Sequence, residues 1–382
     1  MYQLFSEKCA TENTQPASER CYRDVFNSEF NLGFGSPRSD VCSKCDSGEG
    51  GDAHKEAAGR AQEAMKNDRE RARAVGGPIY ITFDLQKTLP LPKIATSVAF
   101  YLRQLWFYNL GVHLVTNNGE NEYMQTWQEN EAGRGANEVC SGLLAFMEIA
   151  QDEIKQSKAL VAWSDSCGGQ NKNFTMVTFW QYILTTRRFD VIDHKFPDVG
   201  HSYMDSHRDF GLIEQSISKV EKVFTGDEYR NIIKNVKVHK KPFVVQNIAG
   251  GLINAKNLQN AMKLTKRQRN TAKETVEFRN IRWTRFDRFG FFKYRYSFDE
   301  SEDWKEVDLR GRNFDPTVKV DLISPDLTMA PGRKVKEAKV EDIKKQLPFI
   351  PRIYHGFYSS ITGTDDNSTA SSAAASDDDD EF

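Results

Sequence analysis

Trp163-Ser164-Asp165-Ser166-Cys167-Gly168-Gly169-Gln170-Asn171-Lys172-Asn173, directly after the largely apolar Lys158-Ala159-Leu160-Val161-Ala162, is the stretch on which the reading of this chain turns. A buried strand that ends on an acid and then meets two glycines, amides and a lysine is how an α/β protein sets a carboxylate at a sheet edge. The same pattern suits an Asp that caps the following helix. Either way the stretch is a strand-to-helix junction, and its neighbours must decide between a site and a cap.

Upstream, Gly76-Gly77-Pro78 breaks a helix-favouring run from Lys55 to Ala74 and releases Ile79-Tyr-Ile-Thr-Phe-Asp84, a β-branched and aromatic strand that also ends on an acid. Two further strands, Leu105 to Thr116 and Tyr123 to Gln128, flank the turn Asn117-Asn118-Gly119. Apolar residues near 3.6 spacing predict a helix from about Ala136 to Ile154. After strand 158–164 come a helix from Phe174 to Leu184, a strand from Phe189 to Phe196, and a helix from about His207 to Val223. The order β-β-β-α-β-α-β-α is similar to the ribonuclease H-like plan, a five-stranded mixed sheet with flanking helices. That likeness implies carboxylates at the ends of the first and fourth strands and on a late helix, and Asp84 and Asp165 stand at the first two places.

Four regions are expected: an N-terminal Cys-containing module over 1–77, the α/β core over 78–228, a basic α+β accessory region over 229–362, and a disordered acidic tail over 363–382. With 39% hydrophobic residues and 12% aromatics, the 382-residue chain can bury a sizeable core. The formal charge of −2 hides an asymmetry, because Arg230 to Arg295 holds seventeen Lys or Arg against Glu274, Glu277 and Asp287. No apolar run approaches the roughly 18 residues of a membrane span, and no signal-peptide pattern opens the chain. A soluble, intracellular protein with no membrane partner is expected, and six cysteines at these spacings are no disulfide framework.

Three groups of side chains carry chemistry. Asp84 and Asp165, on neighbouring strand ends, would hold Mg²⁺ or Mn²⁺ for water activation and stabilisation of a leaving oxygen; the bland alternative is a turn residue and a helix cap. A third acid is sought in Gly200-His-Ser-Tyr-Met-Asp205-Ser-His207-Arg-Asp209-Phe-Gly-Leu-Ile-Glu214, with Asp209 and Glu214 ahead of Asp205. Cys42-Ser-Lys-Cys45 followed by His54 is half of a Zn²⁺ site, with a fourth ligand to come from Cys9, Cys21 or a remote residue. The basic stretch points to a polyanion partner, because cations neutralise phosphates and interleaved aromatics stack on bases. A basic helix over Asn254 to Thr275 and a hairpin over Ile281 to Phe298 would present Lys263, Lys266, Arg267, Arg269, Lys273, Arg282 and Arg285, with Lys172 beside Asp165. The plain alternative is a solvated helix and an ordinary hairpin.

At these residues the chain resembles a eukaryotic, transposon-derived family, domain-of-unknown-function family 7869. The resemblance rests on Phe83-Asp84-Leu-Gln86, on Glu131-x-x-Arg134-Gly135-x-x-Glu138-x-x-Ser141, on Asp165 through Asn173, and on Gly200-His201-Ser202 through Arg208-Asp209-Phe210 to Ile213-Glu214; Asn31 to Cys45 and Ile350 to Tyr358 also match. It implies a ribonuclease H-like transposase core with Asp84 and Asp165 as metal ligands, a nuclear location and DNA as partner. In such relatives an acid commonly stands where this chain has His207. It also implies a fragment or domesticated derivative, since complete transposases carry a DNA-binding domain upstream. Two rivals are a catalytically inactive DNA- or chromatin-binding module and a scaffold whose basic surface meets acidic protein tails.

Overall fold

The computed structural model describes all residues except 31–41, 49–50, 199, 202, 238–240, 323, 330–331 and 364–382. The expected acidic tail beyond Gly363 and residues 31–41 of the N-terminal module lie outside the described residues.

In chain order the strands are β1 (Ile79–Leu85), β2 (Leu89–Leu91), β3 (Leu105–Thr116), β4 (Gly119–Gln128), β5 (Ala159–Trp163), β6 (Val191–Lys195), β7 (Val244–Asn247), β8 (Trp283–Phe286), β9 (Phe291–Arg295) and β10 (Lys305–Asp308). The helices are α1 (Tyr2–Thr11), α2 (Glu19–Glu29), α3 (Ser43–Asp46), α4 (Asp52–Arg73), α5 (Ser97–Tyr101), α6 (Ala136–Ile149), α7 (Gln151–Ile154), α8 (Phe174–Thr185), α9 (Asp205–Ser218), α10 (Gly226–Lys234), α11 (Ala255–Ala261), α12 (Glu337–Gln346) and α13 (His355–Thr362).

The strands form one mixed sheet in the order β10-β9-β8-β6-β5-β1-β3-β4-β7, with β2 added on β3. At its centre β1 runs antiparallel to β3 and parallel to β5, β3 is antiparallel to β4, and β5 is parallel to β6. The expected five strands are therefore all present, but among the described residues the sheet has ten. The hairpin β8–β9 docks antiparallel on β6 and β10 follows it, while β7 joins β4 in parallel. Residues 229–362 thus extend the same sheet.

Alternation along β1 divides the core. Ile79, Ile81 and Phe83 pack with Val139, Leu143 and Phe146 of α6 and with Met176 and Phe179 of α8. Tyr80 turns the other way, into a cluster with Met65 and Ala72 of α4 and Trp163 of β5. Helix α4 buries Ala58, Ala61, Met65, Asp68 and Ala72, a stripe at three- and four-residue spacing. Within it Asp68 accepts from Trp163 Nε1 at 3.0 Å and Lys195 Nζ at 2.8 Å, so a buried ion pair ties α4 to β5 and β6. Helix α8 is buried almost all round and starts where Asn173 accepts the Met176 amide.

The basic helix expected over 254–275 ends at Ala261. Lys263 takes φ 54, left-handed backbone that stops the helix. The chain then runs along β10: the Thr271 amide donates to the Glu306 carbonyl at 2.8 Å, and Lys305 pairs with Glu274 at 3.1 Å. That segment covers a strand edge which would otherwise present unpaired backbone groups.

Candidate functional site

The parallel register of β1 and β5 ends at Thr82 opposite Trp163. Two residues further along each chain are Asp84 and Asp165, so the pairing that forms the sheet centre also brings the two acids to one end of it. Asp84 Oδ1 accepts the Leu85 amide at 2.8 Å, and its Oδ2 lies 2.8 Å from His207 Nε2. The Asp165 Oδ1 accepts the Cys167 amide at 3.1 Å and the Asn171 side-chain amide. Its loop is a tight turn in which the Asn171 and Lys172 amides both bond the Cys167 carbonyl at 2.9 Å. Next to it, Ser164 Oγ meets His194 Nε2 at 2.8 Å while Trp180 Nε1 donates to His194 Nδ1 at 3.1 Å. Full burial pulls the His194 pKa down to about 3, so this ring is a neutral prop for the strand end.

Burial raises the Asp165 pKa, and the negative charge of Asp84 raises it further; Asn171, the Cys167 amide and His207 oppose the rise without cancelling it. Asp165 therefore lies within reach of the Asp84 charge.

Helix α9 supplies the third side chain. Its first turn is pinned by the Ser206 amide on Thr82 Oγ1 at 3.1 Å, one β1 pleat before Asp84. Asp205 and Asp209 lie one turn apart on one stripe, and His207 stands about 200° round from each. The first stripe faces Arg69 and His113: Asp205 pairs with Arg69 at 3.2 Å and Asp209 with His113 Nδ1 at 2.7 Å. The third acid expected from Asp209 or Glu214 is therefore not at Asp84. Asp209 is buried against His113, and Glu214 is exposed, on the His207 stripe but about 10 Å further along the axis. His207 occupies the place instead.

His113, Glu122 and Asp209 bring ligand atoms within 4.8 Å of one another. Their charges are already matched, because Glu122 pairs with Lys237 at 2.5 Å while Glu120 meets His113 at 3.3 Å and Arg69 at 2.9 Å. This network is a buried ionic support beneath α9. In a second cluster Cys42, Cys45 and His54, the expected half-site, meet His201, with all four ligand atoms within 4.8 Å of one another. Neither Cys9 nor Cys21 supplies the fourth ligand atom of that cluster.

The basic side chains fare unequally. Lys172 is buried and gives Nζ to the Arg279 carbonyl at 2.6 Å, a placement that corrects its expected phosphate contact. Burial pulls its pKa down to about 7. Arg285 holds Asp193 bidentately at 2.7 and 2.8 Å, and Arg282 pairs with Asp198. Lys263, Lys266, Arg267, Arg269 and Lys273 are exposed along the segment that covers β10.

Residues 103–283 match a family model described as Domain of unknown function (DUF7869). Over that span, which holds Asp165, His201 and His207 and leaves out Asp84, the chain is similar to that family. No curated protein and no solved structure matches the chain. Among the described residues no helix is long and apolar enough to cross a membrane.

Proposed function

We propose that this chain is a ribonuclease H-like, transposase-derived protein that binds DNA and, with Mg²⁺ or Mn²⁺, cleaves or transfers DNA strands at Asp84, Asp165 and His207. The observation that carries the reading is the juxtaposition of Asp84 and Asp165 at adjacent parallel strand ends, close enough to raise the Asp165 pKa, with His207 bonded to Asp84. The central order β4-β3-β1-β5-β6, with only β3 reversed against its two neighbours, supports the fold part.

Two carboxylates whose mutual repulsion a hard divalent cation would relieve, beside one imidazole, are suitable donor types; Asp84, Asp165 and His207 do not bring one ligand atom each within 4.8 Å of one another, so an ion would have to draw them together. A bound ion would polarise a phosphoryl oxygen and lower the pKa of its water. Asp84 and Asp165 would hold it. The Asn171 amide and the Cys167 amide occupy Asp165 Oδ1 and so aim the carboxylate. His207, a third exposed, orients Asp84 Oδ2 and presents its ring to a phosphate at the surface. The exposed cations from Lys263 to Lys273 would track the nucleic-acid backbone. A nuclear location follows from a DNA partner.

His207 also favours a second reading, a catalytically inactive DNA- or chromatin-binding module, because an imidazole and not a third carboxylate is bonded to Asp84. Plasmid nicking separates the two. Cleavage that requires Mn²⁺ or Mg²⁺ and disappears in both Asp84→Ala and Asp165→Ala supports the enzyme. Salt-sensitive DNA binding without cleavage supports the module, and no DNA binding at all contradicts both.

A further inference from the structure

We infer that Cys42, Cys45, His54 and His201 bind a structural zinc ion that clamps the N-terminal helices to the segment leading into α9. This assignment rests on its own residues and not on the catalytic reading.

Three ligands come from a short stretch: Cys42 and Cys45 on and beside the single turn of α3, and His54 in the first turn of α4. The fourth, His201, is 147 residues beyond His54. Cys42 Sγ lies 3.5 Å from His54 Nε2, Cys45 Sγ lies 3.5 Å from His201 Nε2, and the two Nε2 atoms are 3.1 Å apart. With Zn–S near 2.3 Å and Zn–N near 2.0–2.1 Å, a tetrahedral site has S···N edges of about 3.6 Å and an N···N edge of about 3.3 Å. The observed edges match that shape. Both cysteines are free thiols, so no disulfide accounts for their approach. Four protein ligands leave no open position, which is the pattern of a structural rather than a catalytic zinc.

Gly200 is an independent sign that the two chain segments are built to meet. It has φ +81, and a Cβ there would lie 2.8 Å from Cys42 Cβ and 3.2 Å from Cys42 Sγ. Only glycine lets the backbone before His201 ride over the first thiolate. The His201 amide in turn bonds the Asp198 carbonyl at 3.0 Å, and Asp198 is paired with Arg282. Six residues after His201, His207 sits on Asp84. The ion therefore fixes where α9 begins.

The test uses the full chain purified from zinc-supplemented cells under reducing conditions. Elemental analysis is expected to find one zinc per chain, and X-ray absorption two sulfurs near 2.3 Å with two nitrogens near 2.0–2.1 Å. Cys45→Ser and His201→Asn are each expected to lose stoichiometric zinc, whereas Cys9→Ser keeps it. Should either variant fail to fold, cobalt substituted into the wild-type chain gives the visible spectrum of a tetrahedral two-sulfur, two-nitrogen site. Removal of zinc by a chelator is expected to speed amide exchange across residues 203–207 about tenfold and leave β4 unchanged. A wild-type chain that takes up neither zinc nor cobalt overturns the site. Full zinc retention in His201→Asn overturns the fourth ligand and with it the clamp on α9, and unchanged exchange at 203–207 overturns the clamp alone.

Discussion

Gly111→Ala tests how α9 is seated. Gly111 pairs with Asp84 across β1 and β3 and is buried beneath Phe210. A methyl there would lie 2.5 Å from Phe210 Cε1 and 2.8 Å from Cζ. Carbon atoms rest about 3.5–4.0 Å apart, so the overlap is on the order of 1 Å. Phe210 is itself buried, in the cluster with Leu89, Leu105, Met124 and Ile213, and its ring has little room to retreat. Overpacking of this kind costs about 1–3 kcal/mol. Phe210→Ala alone should cost about 3–5 kcal/mol by leaving a cavity. In the double variant the new methyl enters the vacated space, so the two losses should fall short of additivity by at least about 0.5 kcal/mol. Equilibrium urea unfolding, followed by tryptophan fluorescence with the slope checked for constancy, measures all four corners of the cycle. A neutral Gly111→Ala, or strictly additive losses, would refute this seating of α9 and with it the placement of His207 over Asp84.

Three further outcomes follow from the charges. Burial lowers the His113 pKa, but the hydrogen bond and charge of Asp209, with Asp205 and Glu122, outweigh it and leave the value raised. The folded state therefore holds that proton more tightly. This contribution to stability is full below the ordinary His value near 6.5 and is lost as pH rises through the higher folded value. Asp209→Asn should flatten the decline in urea midpoint above that pH, and an unchanged decline would speak against the pair. Charge removal at Lys263, Lys266, Arg267, Arg269 and Lys273 together should reduce the salt dependence of duplex-DNA affinity, by about 0.9 in log–log slope for each phosphate no longer neutralised. Lys172→Gln, at a buried position, should leave that slope unchanged in fluorescence anisotropy.

Much of the sheet centre is legible in the chain because its signals are local. The runs before Asp84 and Asp165 are buried on both faces and end in turn chemistry, and Asn118-Gly119 closes the β3–β4 hairpin with Gly119 at φ +124. The extension of the sheet is less legible. Ile281 to Phe298 reads as a hairpin, yet nothing local says that its edge will find β6. The helix that carries the third side chain is legible as a helix, but its phase is not. Asp209 turns inward only because His113, 96 residues earlier, waits there. The Cys/His cluster shows the same limit, with Cys42, Cys45 and His54 close in sequence and His201 across the fold. The basic region misleads in part because Arg282, Arg285 and Lys237 meet Asp198, Asp193 and Glu122, acids outside the stretch in which the cations cluster.

The most direct measurement of the central claim is anomalous diffraction at the manganese edge from crystals of the intact chain grown with Mn²⁺. The proposal predicts a manganese ion coordinated by carboxylate oxygens of both Asp84 and Asp165, absent from Asp165→Asn crystals. A folded chain at saturating Mn²⁺ with no ion there, and with Asp84 still bonded to His207, would contradict it.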